Sequence, residues 1–343
     1  MYYFTTYFDK NYLSRGLVLY NSLKRHCEKF SLYVLCLDNE VYDYFQFNNT
    51  LFPEVVTIRL TEIEEYDLEL KACKTNRSVI EYYFTLSPCL PLYVLKRYNV
   101  SHICSLDADI MFFSSPAKIF SHLENYSVLI TPHNFSSDLI KLEIYGIYNV
   151  SFQIFKNDVL GIKCLEDWRN QCINWCYDKL EGDKFADQKY LDKWISNYQG
   201  VLSIPYFESG VAPWNLNSFS ITNNDIDVFI NEEKLIFYHY QGLRIIGHNF
   251  INHGLGAYNV KSTRIVATQI YKPYIKSILN FDMRNDFEIK RNNYYSKSLL
   301  LTALLQKDWY FYTSGILFHS AWLSELIGNS LYFVKKLIQR CRN

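Results

Sequence analysis

Two carboxylates stand two residues apart in Ser105-Leu106-Asp107-Ala108-Asp109-Ile110-Met111-Phe112, directly after an apolar run over 102–106. Residues i and i+2 of a strand share a face, so a backbone that turns at the strand end lets Asp107 and Asp109 converge on one hard cation. A divalent ion held by one or two carboxylates keeps positions open for substrate phosphates. The bland alternative is a solvated strand terminus in which one aspartate caps the next helix. A second apolar run, Leu235-Ile236-Phe237-Tyr238, delivers His239 to a sheet edge, and Gly242 then permits tight passage beside a ligand. A neutral imidazole completing the carboxylate pair favours Mn²⁺ over Mg²⁺. The alternative there is a core histidine satisfied by a backbone carbonyl.

Two further places carry suitable side chains. Asp187-Gln188 follows Glu181-Gly182-Asp183-Lys184 at a helix start, where an acidic residue suits the positive end of the dipole and is explained by an ordinary cap turn. The loop from Pro205-Tyr206-Phe207 to Gly210-Val211-Ala212-Pro213-Trp214-Asn215 mixes turn formers with aromatic rings. Trp214 and Asn215 suit a sugar acceptor, or else pack the loop.

The elements that must position these residues follow from periodicity. Apolar or aromatic runs at 2–6, 31–37, 55–60, 102–106, 127–131, 148–155, 201–204 and 235–238 read as strands. Helical spacing marks 13–23, 78–93 and 160–178, the second broken near Ser87 by Pro88 and Pro91. Short strands alternating with helices predict an α/β fold with a mainly parallel sheet flanked by helices, its ligands at the carboxyl ends of strands. From about Tyr271 the pattern is helix only, at 274–279, 298–305, 311–327 and 331–341, which predicts a domain over 1–270 and a helical C-terminal appendage over 271–343.

Composition narrows the class. The 343 residues are 49% hydrophobic and 17% aromatic with only 12 glycines, which excludes collagen-like and disordered readings. Thirty-five basic and 35 acidic residues cancel, so no global field draws in a nucleic acid. Nine scattered cysteines with no CxxC pair argue against a disulfide scaffold or a zinc site. The first residues lack the basic and apolar regions of a signal peptide, which predicts a reducing cytoplasm. Six Asn-x-Ser/Thr sequons then read as by-products of composition, Asn149 lying in a predicted buried strand.

The Asp-x-Asp in its apolar frame resembles the nucleotide-sugar glycosyltransferases of the GT-A fold. Further segments resemble glycosyltransferase family 8, the glycogenin and lipopolysaccharide galactosyltransferase group. They are Leu13-Ser14-Arg15-Gly16-Leu17-Val18-Leu19, Asn149-Val150-Ser151-Phe152, Phe185-Ala186-Asp187-Gln188 and His239-Tyr240-Gln241-Gly242, in family order across about residues 1–245. The resemblance implies that Asp107, Asp109 and His239 hold Mn²⁺ or Mg²⁺ against a nucleoside diphosphate sugar, UDP preferred. It also implies that Asp187 meets sugar hydroxyls and Gln188 faces the anomeric carbon. By the same analogy Thr5, Thr6, Tyr7, Asp38 and Arg77 lie at the nucleotide base, Tyr7 stacking on it, with Ala108 and Gly242 completing the donor set. Read as residues alone, Thr5, Thr6 and Tyr7 are ordinary strand positions, and Arg77 pairs with Glu81 on the surface. Ser151 replaces the family glycine, Thr85 stands where the family has an arginine, and the late Lys-Pro-Trp is missing.

The expected function is therefore metal-dependent transfer of a sugar to a hydroxyl of a glycan or lipid-linked glycan, with retention of configuration, in the making of a bacterial surface polysaccharide or lipopolysaccharide. A nucleotidyltransferase would need a glycine-rich loop after the first strand, and Thr5-Thr6-Tyr7-Phe8-Asp9-Lys10 has no glycine. A non-catalytic glycan-binding scaffold is the other alternative. Leu331, Val334, Ile338 and Cys341 share one face of a basic amphipathic segment that would rest on an anionic inner membrane or pack on its own domain.

Overall fold

The computed structural model describes residues 1–224, 226–246, 250–284, 309–313 and 316–319. The apolar runs become strands, the central ones buried on both faces. They are β1 (Tyr2–Phe8), β2 (Phe30–Cys36), β3 (Val55–Arg59), β4 (His102–Leu106), β5 (Ile110–Phe112), β6 (Val128–Pro132), β7 (Tyr148–Lys156) and β8 (Val201–Ser203). All but β5 form a seven-stranded sheet ordered β3-β2-β1-β4-β7-β6-β8. β7 runs antiparallel to both its neighbours, and the other pairings are parallel. Alternate residues feed two cores, with Leu32, Val34 and Cys36 on one face and Tyr33 and Leu35 on the other. Covering both faces with helices is what such continuous apolar strands require.

The helices are α1 (Leu13–His26), α2 (Asn39–Phe47), α3 (Leu60–Tyr66), α4 (Leu68–Cys73), α5 (Val79–Tyr98), α6 (Ala117–Ser121), α7 (Val159–Asn174), α8 (Trp194–Asn197) and α9 (Lys272–Arg284). The break expected near Ser87 does not occur: α5 continues through Pro88 and Pro91 to a left-handed cap at Asn99. Each proline removes one intrahelical hydrogen bond, but residues from Leu86 to Leu95 are wedged into the second core beside Trp168 and Cys164 of α7. A capping box between Ser78 and Glu81 also fixes the helix start. Packing here outweighs propensity.

Short strands complete the molecule: β9 (Ile221–Asn223), β10 (Val228–Ile230), β11 (Glu233–Lys234), β12 (Phe237–His239), β13 (Arg244–Ile246) and β14 (Phe250–Asn252), followed by β15 (Trp309–Thr313) and β16 (Ile316–His319). The last four form one antiparallel sheet. The helix read over 311–327 is thus corrected at its described residues, 311–313 and 316–319, which are strand. Trp-Tyr-Phe-Tyr-Thr is a strand-forming run, and sheet pairing with β14 overrides its helical spacing. The helix expected at 274–279 lies within α9, whose Ile275, Ile278 and Leu279 share a core with Val18 of α1 and Met111 of β5. The helices read at 298–305 and 331–341 lie outside the described residues. The eight cysteines from Cys27 to Cys176 are buried free thiols. No helix among the described residues is long and apolar enough to cross a membrane.

Candidate active site

β4 ends at Leu106, and the Asp107 amide then donates to the Ser151 carbonyl of β7 at 3.0 Å. The chain turns through Ala108 and Asp109 into β5, which is buried throughout and pairs antiparallel with β12. That register sets Ile110 opposite His239, and the Tyr240 amide donates to the Asp109 carbonyl at 2.9 Å. On its other side the His239 amide donates to the Val211 carbonyl at 2.8 Å. Three segments distant in sequence are thereby stitched together by backbone alone.

The side chains converge as the spacing predicted. His239 Nε2 lies 3.1 Å from Asp109 Oδ1 and 3.5 Å from Asp107 Oδ2. One ligand atom from each residue falls within 4.8 Å of the others. The Asp107 side chain is 35% exposed against 12% for Asp109 and 5% for His239, so Asp107 lies at the opening and the other two beneath it.

Burial raises the Asp107 carboxyl to about 6; His239 opposes the rise and Asp109 adds to it. Burial also works to raise Asp109, but His239 and Arg15 outweigh it and hold that carboxyl below its usual range. His239 is raised because Asp109 and Asp107 together outweigh the lowering effect of its burial. Its Nδ1 has no hydrogen-bond partner, while Nε2 faces the two carboxylates.

These residues fit a divalent ion. Six-coordinate geometry with bonds of about 2.1 Å separates adjacent ligand atoms by about 3 Å, close to the Asp109–His239 spacing. Two carboxylates and an imidazole form a donor set suited to Mn²⁺ or another borderline ion.

Sequence reasoning missed two neighbours of the site, His133 and Arg15. Trp214 stands edge-on to the His239 ring at 5.3 Å and to the His133 ring at 5.2 Å. Burial lowers His133 to about 4, keeping it neutral near neutral pH. Arg15, buried over the Tyr12 ring, donates to the Asn11 and Leu243 carbonyls and ties the start of α1 to the turn after His239. Its position in the first family-like segment was the one available signal.

The other expected site residues divide. Asp187 heads a 3₁₀ turn, but its side chain caps nothing. It is 2% exposed, and burial raises its carboxyl to about 7, with Ser87 opposing and Asp107 adding. Ala186, at φ 47°, takes a left-handed conformation unusual for a residue with a side chain, and Asp187 follows it directly. Gln188 donates to the Tyr145 carbonyl at 3.0 Å. The Tyr7 hydroxyl meets Ser87, and its ring lies edge-on to Tyr83. The Thr5 and Thr6 hydroxyls are buried without partners.

Asp38, by contrast, caps α2 through Val41 and also accepts from the Lys10 amide, so both carboxylate oxygens are engaged. Arg77 is buried rather than a surface partner of Glu81; it stacks on Tyr177 and donates to Asn76 and the Ile173 carbonyl. Asn215 is a loop clamp, accepting from the Ala212 amide and donating to the His133 carbonyl. Gly242, at φ 79°, turns the chain so that its carbonyl presses on Gly254. Ser151 is tied to Asn149, which is buried as expected.

Solved structures with similarity to this chain include glycosyltransferases. The galactosyltransferase LgtC, solved with donor and acceptor sugar analogues, is 14% identical with a TM-score of 0.49, over 70% of this chain and 87% of that one. Mouse xyloside xylosyltransferase 1 is 10% identical with a TM-score of 0.46, over 70% of this chain and 98% of that one. Two curated relatives come from Bacillus subtilis (strain 168). YfnD, an uncharacterized protein, is 29% identical over 281 residues, 81% of this chain and 88% of the relative. YfnF, also uncharacterized, is 28% identical over 257 residues, 72% of this chain and 84% of the relative. No family model matches the chain.

Proposed function

We propose that this protein is a metal-dependent glycosyltransferase that moves a sugar from a nucleoside diphosphate sugar, UDP preferred, to a hydroxyl of a glycan or lipid-linked glycan. Residues 1–270 would form the transferase domain and 271–343 its appendage, working in the cytoplasm or on the inner face of the membrane. The observation that carries this reading is the convergence of Asp107, Asp109 and His239 at the end of β4. A divalent ion bound there supplies Lewis-acid stabilisation of negative charge on the departing diphosphate.

The chain's own residues do the rest. Asp107, at the opening, and Asp109, beneath it, leave one side of the site free for phosphate oxygens. Asp187 sits on the wall near Asp107, where its carboxyl meets sugar hydroxyls, and Gln188 follows it toward the anomeric carbon. Trp214 offers a ring beside His239 for the acceptor. With Asn215 committed to its own loop, Trp214 is the stronger of the two acceptor assignments. Retention of configuration, by attack on the face the diphosphate leaves, follows from the family resemblance.

The test is titration calorimetry with UDP and UDP-sugars in the presence and absence of Mn²⁺, together with donor hydrolysis. Ion-dependent binding and turnover support the transferase; saccharide binding with no donor binding or hydrolysis identifies a scaffold instead. A diphosphate at a hundred times its dissociation constant stabilises the fold by about 2.7 kcal/mol, which thermal melting also reads.

A further inference from the structure

Ser87 is a residue of the site that its sequence context conceals, because it lies in mid-helix directly before Pro88. Since α5 does not break there, Ser87 faces the end of β1, and its Oγ lies 3.1 Å from the Tyr7 hydroxyl. Thr85, two residues earlier, turns away and gives its hydroxyl to the Glu81 carbonyl at 2.8 Å. Ser87 is 5% exposed and stands close enough to Asp187 to favour the charged form of its carboxyl. The charges of Asp187 and Asp107 both act on Tyr7. Tyr7, Ser87 and Asp187 therefore share one wall, within electrostatic reach of Asp107.

One atom of this wall is unaccounted for. Asp187 Oδ2 is buried and has no hydrogen-bond partner. A buried acceptor left unsatisfied is costly, so a ligand that donates to it is favoured. A phosphate with no cation beside it would be repelled by this carboxylate. A neutral hydroxyl fits, since it donates one hydrogen bond and brings no charge into the wall.

We propose that Ser87, backed by Tyr7, is a positioning residue that holds Asp187 with one oxygen turned toward a hydroxyl of the donor's sugar, and so sets which hydroxyl pattern the site accepts. The arrangement requires Ser87 to give its hydroxyl proton to Asp187 and to accept from Tyr7. In this arrangement Tyr7 serves the sugar side of the site rather than the base. The inference rests on the transferase reading above and adds its specificity element.

The experiment compares wild type, Ser87→Ala, Ser87→Thr and Tyr7→Phe on the preferred UDP-sugar and on analogues each lacking one sugar hydroxyl. UDP affinity with Mn²⁺ is measured alongside, and circular dichroism melting establishes that each variant is folded. Wild type should reject one deoxy analogue strongly. In Ser87→Ala that rejection, read as a ratio of kcat/KM values, should shrink about tenfold, the loss of roughly one hydrogen bond. UDP affinity should stay within about twofold. Ser87→Thr should restore the ratio, and Tyr7→Phe should shift it in the same direction as Ser87→Ala. A Ser87→Ala enzyme that slows on every donor by one common factor, with the ratio intact, overturns the proposal while leaving the transferase reading standing. A wild-type protein that binds no UDP in Mn²⁺ overturns both.

Discussion

The Tyr240 amide donates to the Asp109 carbonyl at 2.9 Å, so the carboxylate that ends one segment and the imidazole that ends another are fixed to each other through the main chain. The three ligands should therefore behave as one unit. Asp107→Asn and Asp109→Asn should each lower turnover by about a hundredfold or more, and the double variant should be little worse than either. Steady-state kinetics in Mn²⁺ read this directly; undiminished turnover in both single variants would remove the metal claim.

His239 supplies the only nitrogen of the cluster and faces both carboxylates. His239→Ala should weaken Mn²⁺ binding by at least about tenfold and Mg²⁺ binding much less, because imidazole favours the borderline ion. Competition titrations of the two ions against UDP check the difference. Equal losses for both ions would place the histidine outside the coordination sphere.

Asn215 closes its loop with one bond accepted from Ala212 and one given to His133, both buried. Asn215→Ala should destabilise the fold by about 1–3 kcal/mol. The urea midpoint should fall with an unchanged slope. A loss of acceptor affinity with full stability would instead return Asn215 to the binding surface.

A Cβ at Gly254 would sit 2.7 Å from the Gly242 carbonyl, and its φ of 78° disfavours any side chain. Gly254→Ala should therefore cost about 1–3 kcal/mol in strain and push back the turn that follows His239. Weaker Mn²⁺ binding should accompany the lower melting temperature. Unchanged metal affinity would show that the turn moves independently of the histidine.

Burial, helped by the N-terminal ammonium, lowers His102 to about 4, against about 6.5 in an unfolded chain. Its neutral form is the one that fits the fold, so this contribution to stability is complete above pH 6.5 and is lost as pH falls toward 4. His102→Phe keeps a ring between Tyr3 and Phe120. Its melting temperature should drop less over that interval than the wild type's, and parallel profiles would disprove the assignment.

The central sheet was legible because its strands are continuous apolar runs, and Asp107, Asp109 and His239 were legible because such runs end on them. The antiparallel course of β7 was not legible, since a strand buried on both faces looks alike in either direction. Pro88 and Pro91 misled for a related reason: propensity is local, whereas the packing of α5 against Trp168 depends on residues far along the chain. Phe311–Thr313 fell inside a run read as helix because closely spaced aromatic and apolar residues satisfy either period. Asp38 and Asn215 are types that caps and clamps use as readily as ligands do, so only their partners separate the roles. The Tyr7–Ser87 contact spans 80 positions and has no sequence signature.

β12 brings its imidazole about 130 residues after the Asp-x-Asp turn. During synthesis at about 5–20 residues per second, the acidic pair leaves the ribosome roughly 7–26 s before its third partner exists. Until then a nascent chain presents only a weak, all-oxygen site to the ions around it. On the proposed function, the complete donor set for an ion would exist only after β12 has paired with β5, late in maturation.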